Sequence, residues 1–128
     1  MSGAAAWLQE RWPFGAAIIL MAITLWLIAA PPRWWLNLTK PVDLGNPVAT
    51  GETLVAEYGC RDCHRIDGQG ALTAPNLSGV TERLDDASLR LWMRNPRAFN
   101  RSMAMPNFHL SDSEIEAIAA YLAALDRH

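Results

Sequence analysis

Cys60-Arg61-Asp62-Cys63-His64 is the stretch on which the reading of this 128-residue chain turns. Two thiols stand three positions apart, and an imidazole follows the second directly. Thiols at this spacing can each add to a vinyl group of one haem, while the adjacent histidine rises to the iron as an axial ligand. Three other chemistries use parts of the pattern. A dithiol redox pair needs a strand–helix–strand setting, and no segment here alternates with a two-residue period. A structural zinc site needs four ligands; Cys60 and Cys63 lack a second pair, and His109 and His128 are poor substitutes. A disulfide between them would close a tiny loop and leave His64 unexplained. The cysteines, counted with their histidine, favour covalent haem.

The size of the surrounding domain agrees with a bulky cofactor. Residues 51–128 are roughly 80 in number, and a domain that small needs a staple, a metal or a large prosthetic group to complete its core. The formal charge is −2 overall. Residues 41–128 hold eight Arg against twelve Asp and Glu, a balance of −4, which argues against a nucleic-acid partner. Lys40 is the sole lysine, so a lysine-studded docking face is absent.

Upstream, residues 1–12 form a short head. Residues 13–32 (PFGAAIILMAITLWLIAAPP) contain no charged side chain. Twenty residues of helix span about 30 Å, one hydrocarbon core, so this is expected to be a single transmembrane anchor. Trp7 and Trp12 before it, and Trp34 and Trp35 after it, stand where aromatic belts meet the headgroups. A cleaved signal peptide is the alternative; length and belts favour a retained anchor. Thr24 can bond back to its own helix, and Gly15, Ala22 and Ala29 recur at a spacing suited to a neighbouring helix. Residues 33–50, with Pro41, Gly45 and Pro47, read as a linker.

Downstream, residues 51–58 predict a short helix capped by Thr50, and residues 60–78 a loop rich in Gly, Asp, Asn and Pro. Asp85 or Asp86 can cap a second helix that ends before Pro96. Ser111-Asp112-Ser113-Glu114 is a capping box, and Ile115, Ile118, Ala119, Leu122 and Leu125 share one face of the helix that follows. The fold class is therefore all-α. For the sixth iron position the candidates are Met93, Met103, Met105 and His109. Met105 is favoured because it precedes Pro106, which holds it in extended backbone, out from a loop; Met93 beside Trp92 suits core packing. A thioether there stabilises ferrous iron and raises the potential.

Residues 51–125 resemble a class I cytochrome c domain of bacterial type. The resemblance is carried by Gly51 and Tyr58-Gly59 ahead of the Cys60–His64 motif, then Gly68-Gln69-Gly70, Ala74-Pro75-Asn76-Leu77, Leu91-Trp92 and Asn95-Pro96. It ends with Met105-Pro106, Leu110-Ser111-Asp112 and Ala120-Tyr121-Leu122. It implies one covalently attached haem c held by Cys60 and Cys63, with His64 and Met105 as iron ligands. It also implies that the Pro75 carbonyl fixes the His64 ring, that Arg83 and Trp92 hold the propionates, and that Gly51 lets Tyr121 approach closely. Core packing is the plain alternative for Trp92, and a solvated surface charge for Arg83.

The implied function is one-electron transfer, without a substrate-binding cluster and without catalysis by the chain alone. The expected partners are the membrane, subunits of an integral-membrane redox complex and a redox partner protein, with no small-molecule substrate. The expected role is the haem subunit of a larger respiratory or photosynthetic complex, similar in plan to anchored subunits of alternative complex III, nitric oxide reductase and terminal oxidases. The alternative is a free-standing tethered carrier shuttling between complexes. An open-haem enzyme or gas sensor is disfavoured by Met105. Since c-type haem is attached outside the bacterial cytoplasmic membrane, the resemblance puts the haem domain on the periplasmic side of a single-pass anchor. The charge rule, with Arg11 on one side and Arg33 and Lys40 on the other, leans weakly the opposite way.

Overall fold

The structure is a computed structural model that describes residues 3–127, with side chains described from Trp12 onward. Trp7 and Arg11 thus lie outside the described side chains, and His128 outside the described residues. The described residues are helical, without strands, and they divide into two compact units, one up to Pro32 and one from Arg33.

The first unit is helix α1, Gly3–Ala29. Its stretch Trp12–Ala29 has a mean hydropathy of 2.0 and no buried residue, the composition of a helix that crosses a bilayer. Thr24 donates to the Leu20 carbonyl at 2.8 Å, so its hydroxyl is satisfied within the helix. The helix stops at Ala29 and not at Pro32, because Ala30 precedes Pro31 and is pushed away from helical backbone.

The second unit holds α2 (Arg33–Thr39), α3 (Pro47–Glu57), α4 (Val80–Arg83), α5 (Asp86–Arg94) and α6 (Asp112–Leu125). Short 3-10 turns stand at Cys60–Asp62 and Pro96–Ala98. Residues 33–50, expected as a linker, differ from that reading. Residues 33–39 are helical, Leu36 is buried, and the segment is tied along the start of α6. Arg33 donates to the Leu110 carbonyl at 2.7 Å and pairs with Asp112; Asn37 exchanges two hydrogen bonds with Asp112; Ser111 donates to the Lys40 carbonyl at 2.7 Å. The sequence pattern missed this because the helix is short and its docked face is polar. Helix α3 likewise begins earlier than Thr50 suggests. Pro47 starts it, a position where the missing N–H costs nothing, and the Asn46 side chain accepts from the Ala49 amide.

The core lies between α3 and α6. Leu54 and Val55 meet Ile115, Ile118, Ala119 and Leu122, with Ile66, Val80, Leu89, Met93 and Leu110 closing the sides. The two helices cross at Gly51. A Cβ built there would stand 2.1 Å from the Ala117 carbonyl oxygen and 2.7 Å from Tyr121 Cβ, so only glycine allows this approach. The capping box at Ser111 is formed in both directions, with Glu114 accepting from the Ser111 amide at 2.7 Å.

Candidate haem-attachment site

The Cys60–Asp62 turn follows directly from α3. Gly59, at φ 63°, reverses the chain out of the helix, and the His64 amide closes the turn on the Cys60 carbonyl at 3.0 Å. The next loop folds back on the motif at regular intervals. Ala71, Ala74 and Leu77 amides donate to the carbonyls of Arg61, Cys63 and Arg65, each at 2.9 Å. Ile66 is fully buried beneath the loop. Gly70 has φ 103°, and a Cβ on it would meet the His64 carbonyl oxygen at 2.4 Å. The loop therefore needs glycine there both for backbone angle and for space.

This folding brings His64 Nδ1 to 2.7 Å from the Pro75 carbonyl oxygen. A carbonyl only accepts, so Nδ1 carries the proton and Nε2 keeps its lone pair for a metal. The imidazole is thus in the tautomer that an iron ligand needs. Cys60 and Cys63 are both free, the first half-buried and the second exposed. Burial pushes the Cys60 thiol up from its ordinary value. Arg83, expected at the propionates, donates to the Ser78 and Asn76 carbonyls, both at 2.7 Å. It braces the loop that carries Pro75, and any propionate would share it with those carbonyls. Trp92 is half-buried and lies flat on Phe99, ring centroids 4.3 Å apart with 5° between planes.

Met103 and Met105 both sit half-buried on the irregular segment between the Pro96–Ala98 turn and α6. Met93 is buried in the core, as its packing alternative expected. His109 has φ 50° and is half-buried. Leu72, Leu91 and Phe99 are large apolar side chains left exposed in this small domain. Two free thiols, an imidazole oriented by the Pro75 carbonyl and a methionine-bearing loop form a donor set that fits covalent haem.

The Cytochrome c family model matches residues 48–126. This chain belongs to the cytochrome c family. Membership brings one covalently attached haem c. Among relatives, the nitric oxide reductase C subunit of Paracoccus denitrificans is 34% identical over 96 residues, 66% of this cytochrome and 64% of the relative. Its counterpart in Stutzerimonas stutzeri is 26% identical over 115 residues, 85% of this chain and 79% of that one. That of Halomonas halodenitrificans is 30% identical over 104 residues, 72% and 69% of the two chains. The cytochrome thus spans a little under two thirds of the Paracoccus protein.

Sequence reasoning missed a buried charged cluster beside the motif. The Glu114 carboxylate is buried, accepts from Tyr58 Oη at 2.6 Å and lies 3.3 Å from Lys40 Nζ. Lys40 also donates to the His109 carbonyl at 3.1 Å and stands over the Tyr58 ring. Burial, followed by the hydrogen bond to Glu114, pushes the Tyr58 hydroxyl far above its ordinary value, so it stays protonated. The capping box marked Glu114, but nothing in its pattern shows that the carboxylate would be buried. Arg61 within the motif donates to Tyr121 Oη at 2.9 Å and so pins the turn to α6.

Proposed function

We propose that this cytochrome is the electron-relaying subunit of a membrane oxidoreductase of the nitric oxide reductase kind, with its haem domain on the periplasmic side. The observation that carries the reading is the extent of the likeness to the Stutzerimonas protein. That match covers 115 residues, far more than residues 48–126 supply, and so reaches into the segment ahead of the haem domain. Similarity limited to the domain would fit any monohaem carrier.

Haem c, when bound, supplies a reversible one-electron couple. The roles we assign to the chain are to hold and tune it. Cys60 and Cys63 fix it in place. His64 is the proximal iron ligand, oriented by the Pro75 carbonyl. Met105 would supply the second iron ligand, with Met103 the nearby competitor. Arg83 and Trp92 would hold its propionates, Arg83 while still bonded to the Ser78 and Asn76 carbonyls. In this reading the chain passes electrons and its partner subunit supplies the catalytic chemistry. The free-standing shuttle fits less well, because residues 33–40 are packed on α6 and leave little tether.

Purification of a tagged chain in mild detergent, followed by peptide identification, tests the subunit reading. A large polytopic oxidoreductase subunit is expected in stoichiometric amount, and nitric oxide reduction by the membranes should fall away when the chain is deleted. Isolation of the cytochrome alone, with that activity intact in the deletion strain, overturns the reading. Protease added to spheroplasts should remove the haem domain; protection of the domain contradicts the periplasmic assignment.

A further inference from the structure

Helix α2 is amphipathic in the reverse sense for the surface of a soluble domain. Arg33, Leu36, Asn37 and Lys40, spaced at one helical face, turn toward the domain: Leu36 is buried, and the other three bond with residues 109–114. Trp34, Trp35 and Leu38 form the outward face. Leu38 is 69% exposed and Trp34 62%, although these are among the most apolar residues of the segment. The two indoles meet edge to face, with centroids 5.8 Å apart. Trp35, at 38%, is less exposed, and Arg33 and Lys40 are only partly covered, but a soluble domain does not gain by turning Trp34 and Leu38 outward while its polar side chains face inward.

We infer that the outer face of α2 lies in the headgroup region of the bilayer and fixes the haem domain against the membrane surface. The inference rests on the reading of α1 as an anchor. Its occupant follows from chain length. Residues 30–32 are all that separate the end of α1 from the start of α2. A stretch that short reaches at most about 14 Å at ~3.5 Å per residue, so α2 starts close to the membrane surface, and an orientation along that surface puts its outer face among the headgroups. Tryptophan is the side chain that prefers this zone, its ring apolar and its N–H polar. The belt that the sequence places after the anchor thus belongs to the haem domain itself. Membrane contact is passed to the domain through Arg33, Asn37 and Lys40, which hold α2 to α6.

The test uses the full-length holoprotein in vesicles of phosphatidylcholine and phosphatidylglycerol. A spin label is placed at Leu38→Cys, at Ile19→Cys in α1 and at the exposed Glu82→Cys. The native cysteines are occupied by haem. Collision rates with oxygen and with a water-soluble nickel chelate are compared. The label at 38 should favour oxygen by ~tenfold more than the label at 82, with the label at 19 more lipid-like still. Lipid-like behaviour at 19 with fully aqueous behaviour at 38 overturns this inference alone; aqueous behaviour at 19 overturns the anchor. Shielding at 38 that appears only when a partner complex is added assigns the face to protein and also overturns it. As a second readout, W34S/W35S/L38S should abolish the linear dichroism of the haem in oriented bilayers while leaving its absorption spectrum unchanged. Retained dichroism overturns the inference.

Discussion

The two loops that bear the candidate iron ligands are built to different standards. On the His64 side, three loop amides bond to the carbonyls of Arg61, Cys63 and Arg65, Thr73 adds a fourth bond, and Pro75 receives the imidazole. On the Met105 side, the bonds within residues 100–109 are short-range: Met103 and Ser102 amides to Asn100, and the His109 amide to Asn107. The first loop is cross-linked to the motif it serves. The second is held mainly at its far end, where Leu110 is buried and α6 begins. The difference teaches that the His64 ring is set by the fold, whereas the methionine-bearing loop has the freedom to adjust.

The largest expected effect is that of Cys60→Ser with Cys63→Ser. Haem should be extractable by acid–acetone or missing altogether, and with the core incomplete the domain should not show a cooperative thermal transition. Covalent haem in the double variant would end the attachment reading. Gly70→Ala tests the rigid side. With φ at 103° and the His64 carbonyl 2.4 Å from the new Cβ, a loss of about 3 kcal/mol or more is expected in denaturant titrations. A neutral outcome would show that the proximal loop yields and would break the comparison.

Met105→Ala should do the opposite: modest destabilisation of about 1–2 kcal/mol, but loss of the ferric methionine–sulfur absorption, a lower potential and new carbon monoxide binding. Met103→Ala should change these far less; the reverse pattern would make Met103 the ligand and the loop more adaptable still. The smallest effect concerns α2. The hydrogen bond from Asn37, helped by the Arg33 and Arg94 guanidiniums, holds the Asp112 carboxyl below the usual carboxylate range, against an opposing effect of burial second in size only to the Asn37 bond. Its folded value is depressed, so its contribution is present above the unfolded value of about 3.9 and fades as pH falls through the lower folded value. Asp112 is half exposed, and solvent screening limits each such pair to about 0.2–1 kcal/mol. Amide protection factors across residues 33–39 should therefore fall slightly on acidification below pH ~4 in the parent, and Asp112→Asn should remove that response. An unchanged pH response in Asp112→Asn would exclude Asp112 as the clasp.

The all-α class, the anchor and the haem motif were legible because each is a local pattern: an uncharged run, a five-residue signature, a capping box. The Gly51–Tyr121 approach came through the family resemblance, and the structure bears it out. What was not legible depends on distant residues. Helix α2 is too short for its period to register, and its docked face is defined by Asp112 and Leu110, more than seventy residues away. The burial of Glu114 requires Tyr58 and Lys40 to converge from separate elements. The resemblance assigns Arg83 to the propionates, with a solvated surface charge as the alternative; sequence alone does not reveal the Asn76 and Ser78 carbonyls turned toward it.

The crossing at Gly51 also bears on the order in which this chain becomes a cytochrome. It joins residues some 66 positions apart, Gly51 and Ala117, and closing a loop of that length costs on the order of 4 kcal/mol before the core repays it. Apart from the Arg61–Tyr121 bond, the hydrogen bonds of the Cys60–Pro75 region are local by comparison, spanning three to twelve residues. Contacts of short sequence separation form sooner than distant ones. The attachment turn can take shape while the α3–α6 clasp is still open and both thiols are accessible. In pulse-labelled hydrogen exchange during refolding, amides of Ala71 and Ala74 should gain protection before those of Ile118 and Tyr121; the opposite sequence would mean that the clasp nucleates folding.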